Sequence, residues 1–364
     1  MRVLLQNRVD ALTKSGGDTT QMLKTQEALV RLGVDAEVAI GAALDLHRYD
    51  LVHIFNISTF EECDRLIRAA KDAGKPVALS PIWWENAENE VNRHERPTWS
   101  RVRRLIGLKL AAFLFRHWRR RFRDSYRFQY RLVRAADILL PNSLAEQRMV
   151  IAEFRLAPHE QRFHVVPNAA DVAQFKSADP TLFVQKHGIK DFVMCAGRIE
   201  NRKNHVKLIR AMKEIDAPLV LVGRPNQNQP EYVARCDTLA KELGNDRVHF
   251  LGRVPQEELV SAYAAAKVHA LVSWWETTGL VSLEAAVAGC NIVTTDRAPV
   301  DEYFGDLAWP CDPSSVRSIR QAIRQALAAP RRTALRDKIV TEFTWERAAQ
   351  ETLKGYEMVL RRKP

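Results

Sequence analysis

The run Phe192-Val193-Met194-Cys195-Ala196 is apolar, has the length of a strand and ends in Gly197-Arg198-Ile199-Glu200-Asn201-Arg202-Lys203-Asn204. A buried strand that leads through a glycine turn into a helix is the repeating unit of a parallel α/β sheet. In such sheets ligands bind at the carboxyl ends of the strands. Arg198 and Lys203 are therefore predicted at a strand end, where two cations and a helix N-terminus suit a diphosphate.

The same alternation of strand-length runs and helical patterns extends over the whole chain. Two sets of five or six strands predict an α/β protein with two doubly wound, Rossmann-like domains. A mixed polar stretch with Pro180 and Gly188 places the linker near residues 167–190. The predicted strands are residues 3–6, 37–40, 51–55, 77–80, 138–141 and 163–166, followed by 192–196, 219–222, 248–251, 268–271 and 291–294.

Length and composition are those of a folded two-domain protein. The 364 residues are 46% hydrophobic and 27% charged, which excludes a fibrous or disordered chain. The five cysteines are scattered without a Cys-x-x-Cys pair, so we expect reduced thiols rather than disulfides or a zinc site. Without a signal-peptide pattern or a run of ~18 apolar residues, the expected location is the cytoplasm, with peripheral attachment at the inner face of the membrane as an option.

The positive charge is concentrated in residues 101–134. That segment has twelve basic residues and one acid, Asp124, so it carries the whole net charge of +11. Apolar and aromatic residues alternate with the basic ones, which predicts one or two long amphipathic helices. A solvated basic face is one interpretation, a helix lying on an anionic membrane surface is the second, and nucleic-acid binding is the third. No zinc-finger spacing or RNA-recognition signature accompanies the charge, so no nucleic-acid partner is expected.

Paired glycines, Gly16 and Gly17, follow the first predicted strand. Glycines at a strand-to-helix turn let a ligand approach the backbone, and the helix N-terminus favours an anion. A tight turn that needs a positive φ explains the pair equally well. The chain has no Gly-x-Gly-x-x-Gly fingerprint, which disfavours a nicotinamide or flavin cofactor.

The most specific motif is Ser273-Trp274-Trp275-Glu276-Thr277-Thr278-Gly279-Leu280-Val281-Ser282-Leu283-Glu284. Gly279 is predicted to open a helix whose first amides meet a phosphate, with Glu284 about one turn inside it and Glu276 in the loop before it. One carboxylate is then placed to accept hydrogen bonds from ribose hydroxyls and the other to reach a sugar.

Glu276 and Glu284 form the E-x7-E pattern of retaining glycosyltransferases with the GT-B fold, the group often called family 4, and the chain resembles that family. Further segments along nearly the whole chain also resemble the family, and the motifs in the second half of the chain are more specific to it than those in the first. These segments are Gly16-Gly17, Tyr49-Asp50-Leu51-Val52-His53, Pro167-Asn168-Ala169-Ala170-Asp171, Gly197-Arg198, Lys203-Asn204, Val222-Gly223, Phe250-Leu251-Gly252, Glu302-Tyr303-Phe304-Gly305-Asp306 and Phe343-Thr344-Trp345.

This resemblance implies a GT-B architecture of two Rossmann-like domains facing a cleft. The expected acceptor-side domain is residues 1–167 with a returning terminal helix, 346–364, and the expected nucleotide-sugar domain is 168–345. The implied catalytic residues are Glu276 at the transferred sugar and Arg198 and Lys203 at the diphosphate. The implied donor-binding residues are Gly16, Gly17, Asn168, Gly223, Gly279, Leu280, Val281 and Glu284.

The implied reaction moves a sugar from a nucleoside-diphosphate sugar to a polysaccharide or lipid-linked glycan, with retention and without a metal ion or further cofactor. The chain has no Asp-x-Asp motif of metal-dependent glycosyltransferases. It departs from many relatives at Pro81-Ile82-Trp83-Trp84-Glu85, where they carry a histidine, and at Asp296-Arg297-Ala298-Pro299, where they have paired glycines. The alternatives are a nucleotide-sugar epimerase or hydrolase on the same fold, or a non-catalytic basic protein that binds membrane or nucleic acid.

Overall fold

Each half of the chain forms its own parallel sheet. A computed structural model describes residues 1–13, 16–40, 45–93, 97–157, 162–244 and 246–361. The chain divides into unit 1, Met1–Asn92 with Arg96–Ala169 and Phe343–Pro364, and unit 2, which contains Ala170–Glu342. The chain enters unit 2 after Ala169 and returns to unit 1 at Phe343. These crossings lie two and three residues from the boundaries expected at 167/168 and 345/346.

Unit 1 is built on a five-stranded sheet in the order β2-β1-β3-β4-β5, in which every pair is parallel. Strands β3, β4 and β5 are buried throughout and mostly apolar, as expected where helices cover both faces of a parallel sheet, whereas the edge strand β2 carries Asp35 and Glu37. Its elements are β1 (Arg2–Asn7), α1 (Gly17–Arg31), β2 (Asp35–Ile40), β3 (Leu51–Phe55), α2 (Phe60–Asp72), β4 (Val77–Ser80), α3 (Ala87–Asn92), α4 (Pro97–Ile106), α5 (Leu108–Phe122), α6 (Asp124–Ala135), β5 (Ile138–Leu139), α7 (Leu144–Phe154) and, at the far end of the chain, α17 (Trp345–Leu360).

Unit 2 has a six-stranded sheet in the order β11-β10-β9-β6-β7-β8, again all parallel. Its core consists of apolar residues from the strands and from the helices that pack on them. Its elements are α8 (Val172–Phe175), α9 (Thr181–His187), β6 (Val193–Ala196), α10 (His205–Ala211), β7 (Leu219–Val222), α11 (Pro230–Leu243), β8 (Val248–Gly252), α12 (Gln256–Ala265), β9 (Val268–Leu271), α13 (Leu280–Val287), β10 (Asn291–Thr295), α14 (Val300–Tyr303), β11 (Trp309–Cys311), α15 (Val316–Ala328) and α16 (Thr333–Glu342).

The predicted strand at residues 163–166 is wrong, and Pro141 explains why. Leu139 donates its amide to Arg162 O (2.7 Å) and accepts from His164 N at 3.0 Å, so parallel pairing begins. The next bond of that ladder would need an N–H from residue 141, which proline lacks. One bond of the ladder is therefore missing, although Val166 N still donates to Pro141 O at 2.9 Å; a single isolated bridge between Leu139 and Phe163 remains, and β5 itself ends at Leu139.

Strand β11 was absent from the sequence-based prediction. It contains Pro310 and pairs with β10 at the edge of the six-stranded sheet. An edge position tolerates a proline because the outward side of the strand has no neighbour to receive an amide.

The basic segment forms three helices rather than the one or two long ones expected. Helices α4 and α5 are separated by Gly107 (φ 83°), and α5 and α6 by Arg123, whose backbone is extended. Each break removes the continuous hydrogen-bond ladder that a long helix needs. None of the helices in the described part of the chain combines the length and apolar character needed to cross a bilayer.

The terminal helix α17 belongs to unit 1. It begins after Thr344, whose hydroxyl accepts a hydrogen bond from Arg347 N, as expected of an N-cap residue. Tyr356 hydrogen-bonds His53 Nδ1 at 2.7 Å, and Glu351 contacts His164 Nε2 at 2.8 Å. The predicted extension of this helix to residue 364 falls partly on 362–364, which lie outside the described residues.

Candidate functional site

The loops that follow β6 and β9 in unit 2 hold most of the residues singled out from the sequence. β6 and β9 are neighbours in the sheet and run parallel, so their carboxyl ends lie side by side. The loop after β6 contains Arg198 and Lys203, and the loop after β9 contains Glu276. Tertiary structure thus brings together two segments that are more than 70 residues apart in the chain.

The Glu276 carboxylate is the centre of this cluster. Its Oε1 accepts hydrogen bonds from Lys203 Nζ at 2.8 Å, Arg202 Nη1 at 2.9 Å and Ser273 Oγ at 2.7 Å. Glu276 and Lys203 are both buried. A buried carboxylate with two cationic partners is held in one position, which is what a group that must touch a substrate requires.

Electrostatics keep Glu276 ionised. Burial alone would raise its pKa, but the charges of Arg202 and Lys203 and their hydrogen bonds outweigh that cost and lower the pKa to about 2. Its second oxygen, Oε2, has no hydrogen-bond partner recorded among the described residues. The group is therefore a fixed anion with one oxygen left to accept from a ligand hydroxyl.

Arg202 is a site residue that the sequence reasoning missed. Besides Glu276, its guanidinium donates to Glu200 Oε1 at 3.2 Å and to the Trp275 carbonyl at 3.3 Å, and it stacks over the Trp275 ring. Arg202 thus fastens the β9 loop to the β6 loop. Its position directly before Lys203 in a strand-end loop was the available signal, but only the fold shows that it faces Glu276.

The start of α13 offers free backbone donors. Gly279 precedes the helix with a φ of 80°, and a Cβ there would lie 2.9 Å from Leu271 Cδ2, so only glycine fits. Within the described ranges, the amides of Leu280 and Val281 have no recorded acceptor, as expected for the first turn of a helix. These amides and the helix dipole form a setting suited to a phosphate.

Glu284, inside α13, has an environment opposite to that of Glu276. It is partly buried, and its hydrogen-bond partner is the Tyr263 hydroxyl at 3.4 Å. Burial raises its pKa to about 7, which the hydrogen bond from Tyr263 only partly offsets, and the nearby Asp171 adds to the rise. Near neutral pH this carboxyl exchanges readily between its neutral and ionised forms.

Arg198 and Gly223 also lie at strand ends of this sheet. The Arg198 side chain is 44% exposed, and its Nη1 lies 3.9 Å from Glu200 Oε2. Gly223 follows β7, and a Cβ on it would lie 2.1 Å from the Gly197 carbonyl oxygen. The backbones after β6 and β7 therefore approach each other closely, which explains the glycine at 223 without a ligand.

The remaining predicted residues, Gly16, Gly17 and Asn168, lie in unit 1. Gly17 begins α1, and the buried Asp18 carboxylate in its first turn accepts from Asn7 Nδ2 (3.3 Å), Asn56 Nδ2 (3.2 Å) and Arg8. This turn thus already contains the negative charge of Asp18. The side-chain amides of Asn7 and Asn56 beside it are groups that can form hydrogen bonds with the hydroxyls of a ligand. Asn168 is buried, one residue before the segment Arg96–Ala169 of unit 1 ends.

Unit 1 holds a second buried carboxylate that the sequence did not reveal. Glu146 is fully buried and accepts from the backbone amides of Trp83 and Asn142, each at 2.7 Å. It joins the loops after β4 and β5. Beside it Ile82 has a φ of 47°, a strained conformation for a β-branched residue, at the carboxyl edge of the sheet.

The side chains and backbone amides gathered at this edge of the unit 2 sheet are thus suited to bind a ligand that has an anionic group with hydroxyls beside it. Arg198, Lys203 and the α13 amides supply positive potential, while Glu276 and Glu284 accept hydrogen bonds. Among the described residues, no group of three or more histidine, cysteine or carboxylate side chains is arranged to hold a metal ion.

Comparison with known proteins matches this unit to a family. Residues 182–342 match the family described as Glycosyl transferases group 1. The chain is also 28% identical over 256 residues to the D-inositol 3-phosphate glycosyltransferase of Nocardioides sp. (strain ATCC BAA-499 / JS614), which covers 62% of this chain and 54% of that protein. The chain thus spans about half the length of this relative.

Solved structures resemble the chain over its full length. Sucrose-phosphate synthase from Thermosynechococcus elongatus superposes with a TM-score of 0.77 at 16% identity, covering 100% of both chains. Anabaena HepE in complex with UDP gives a TM-score of 0.73 at 17% identity, covering 98% of this chain and 100% of that one. These likenesses confirm the predicted GT-B fold class.

Proposed function

Residues 182–342 match the family Glycosyl transferases group 1, and from that premise we propose that the chain transfers a sugar from a nucleoside-diphosphate sugar to an acceptor with retention of configuration. The proposal depends most on one observation, the ionised Glu276 held by Arg202 and Lys203 close in sequence to the start of α13. Nucleotide-sugar binding is further supported by the UDP named for the structurally similar HepE.

In this proposal the donor diphosphate lies against the amides of Leu280 and Val281. Arg198, whose side chain is half-exposed at the end of β6, neutralises the phosphates together with Lys203. Glu284 accepts hydrogen bonds from the ribose hydroxyls. Fixed cations and a helix N-terminus stabilise a leaving diphosphate without a metal ion, since they face the charge as it develops.

Glu276 binds the transferred sugar through its free Oε2. The acceptor oxygen attacks the anomeric carbon from the face that the diphosphate leaves, so one C–O bond forms as the other breaks and configuration is retained. The acceptor hydroxyl gives its proton to the departing phosphate oxygen. No side-chain nucleophile is needed, and most of the rate comes from stabilising the charge on the diphosphate.

We propose a polysaccharide or lipid-linked glycan as the acceptor, held by unit 1. Asn7, Asp18 and Asn56 gather hydrogen-bonding groups at one sheet edge there, which suits the hydroxyls of a glycan. The name of the Nocardioides relative supports a second candidate, D-inositol 3-phosphate.

The donor is best identified by thermal shift with a panel of nucleoside diphosphates and their sugars. A ligand at a hundred times its Kd adds about 2.7 kcal/mol of stability, so a true donor raises Tm clearly. Transfer from that donor to each acceptor, with the anomeric configuration read by NMR, then tests the reaction. Activity should persist in EDTA, and strict dependence on a divalent metal would contradict the proposed mechanism.

Arg198→Ala is the variant that tests the diphosphate site. Loss of one phosphate cation should lower kcat/KM by about 30- to 1,000-fold. Arg317→Ala removes an exposed arginine of α15 in the same unit and should leave activity unchanged. Donor turnover that needs no acceptor would instead favour an epimerase or hydrolase.

A further inference from the structure

Helix α5 presents apolar side chains on two opposite faces. The inner face packs Ala111, Ala112 and Phe115 into a buried cluster with residues of α3. The outer face exposes Leu110 (50%) and Phe113 (55%), with Leu114 beside them. Residues 110, 113, 114, 117 and 121 share one side of a helix because they repeat every three or four positions. Packing within unit 1 thus leaves this outer face in contact with solvent.

The exposed apolar surface continues into the end of α4. Leu105 is 84% exposed, the largest value among the exposed large hydrophobic residues of the described chain, and Ile106 follows it as the last residue of α4. Isolated exposed leucines are ordinary, but a run of five large apolar side chains within ten residues marks an interaction surface.

Cations border this outer face. Lys109 and Arg121, near the two ends of α5, are both exposed, and no ion pair with a described residue is recorded for either. Arg101, Arg104 and Arg123 are exposed as well, and residues 97–123 contain no acid.

Three other arginines of α5 serve the fold instead. Arg116, Arg119 and Arg120 all contact the fully buried Glu153 carboxylate of α7, at 2.7, 2.5 and 2.8 Å. Burial works against ionisation of Glu153, but these arginines outweigh it and lower its pKa. The basic residues of α5 therefore fall into two groups. One group binds Glu153 and fastens α5 to unit 1, and the other stays exposed at the surface.

We propose that the outer face of α5, with the end of α4, binds the surface of an anionic lipid bilayer. Apolar side chains among uncompensated cations match a headgroup layer, where phosphates meet the cations and the hydrocarbon boundary receives Leu110 and Phe113. Like charges crowded on one surface repel each other, so the arrangement favours an anionic partner. The proposal stands apart from sugar transfer because the side chains proposed to bind the diphosphate, the ribose and the sugar, those of Arg198, Lys203, Glu284 and Glu276, lie in unit 2.

The direct test is co-sedimentation of the full chain with phosphatidylcholine vesicles, with and without phosphatidylglycerol. We expect binding only when the anionic lipid is present, and weakening as salt shortens the Debye length below about 8 Å. Equal binding to neutral vesicles, or none to anionic ones, would overturn the proposal.

Lys109→Glu combined with Arg121→Glu tests the cations without touching the Glu153 contacts. Each basic residue near an anionic surface is worth about fivefold, and each substitution also adds a carboxylate that the surface repels, so we expect at least about a 100-fold loss of vesicle affinity. Arg210→Glu with Lys241→Glu changes the net charge equally at exposed sites in unit 2 and should retain binding. Equal losses in both double variants would mean that net charge, rather than this face, is recognised.

Leu110→Gln with Phe113→Gln tests the apolar part and should weaken binding by about tenfold or more. Nucleotide affinity and the circular dichroism spectrum of each variant should match the parent, which separates a docking defect from misfolding or a failed donor site. Self-association that these substitutions abolish, or RNA binding without vesicle binding, would assign the face to a different partner.

Discussion

Glu276 and Glu284 are eight positions apart in one loop and helix, yet their protonation behaviour is opposite. Cationic partners lower the pKa of Glu276 to about 2, whereas burial raises that of Glu284 to about 7. Two carboxyls whose environments separate their pKa values are typical of sites in which each has its own role. The E-x7-E pattern is visible in the sequence, but this division of roles depends on Arg202 and Lys203, which come from another loop.

Substituting each glutamate by glutamine should affect different kinetic constants. Glu276→Gln keeps the shape but removes the anion that we propose lies beside the reacting sugar, so we expect kcat to fall about 100-fold with little change in KM. Glu284→Gln should chiefly raise KM, by about tenfold, because it weakens uniform binding of the ribose. Steady-state kinetics with the identified donor check both, and identical effects of the two substitutions would contradict the assigned roles.

Glu284 should also make stability depend on pH. Its pKa in the folded state exceeds the ordinary value of 4.5, so the folded chain binds the proton more tightly than the unfolded one. This contribution to the free energy of unfolding is present below about pH 4.5, declines as pH rises towards 7 and is absent above it. Glu284→Gln should therefore raise Tm relative to the parent more at pH 8 than at pH 5, as measured by calorimetry without ligand.

At the scale of elements, one carboxylate binds three arginines of α5, in addition to the apolar contacts of its inner face. Glu153 comes from α7, more than 30 residues beyond the arginines that surround it, so no local pattern predicts the contact. The charge of residues 101–134 is plain in the sequence, and so is its amphipathic character. Which arginines face Glu153 is decided only when α5 and α7 pack together.

Glu153→Gln should destabilise unit 1 because it leaves three arginines beside a site without its anion. We expect a loss of about 3 kcal/mol in the free energy of unfolding, the scale for breaking a buried ion pair. Denaturant unfolding followed by circular dichroism measures it. Glu346→Gln is the matched control, since its ion pair with Arg31 (3.2 Å) is exposed and worth about 0–1 kcal/mol. If both substitutions lowered the free energy of unfolding by a similarly small amount, the three ion pairs of Glu153 would not stabilise unit 1 as expected.

The strands show how far local pattern reaches. Every strand of unit 2 with a continuous apolar run was predicted within a residue or two, since burial on both faces demands such runs. The prediction failed where pairing decided the outcome. Pro141 removes one hydrogen bond from the ladder that residues 163–166 would have joined, and Pro310 made the edge strand β11 hard to recognise in the sequence.

At the scale of the whole molecule, the chain is two units, each with its own parallel sheet and core. The groups assigned to the donor, except Gly16, Gly17 and Asn168, lie in unit 2. Unit 1 carries the basic segment and the Asp18 cluster. The two proposals thus place the main donor-binding side chains in unit 2 and surface attachment in unit 1.

This division predicts where a nucleotide protects the backbone. With the nucleoside diphosphate identified by thermal shift, hydrogen exchange should slow most at residues 197–204 and 272–287, because ligand contacts suppress local opening there. Residues 108–122 of unit 1 serve as the internal reference and should exchange at an unchanged rate. Protection confined to unit 1 would be incompatible with the assigned donor site.

The sequence by itself determined the fold class, the two-domain organisation, the glutamate pair and the basic segment, because each is written in local periodicity, spacing or composition. Tertiary structure alone decided that Arg202 clamps Glu276, that Glu284 is desolvated and that Glu153 gathers three arginines. Which strands and helix faces are buried can be predicted from the hydrophobic pattern of each segment by itself. The position of a charge and its pKa depend on partners that only the packed sheet and helices bring within a few ångströms, since electrostatic interactions are set by distance and by exclusion of water.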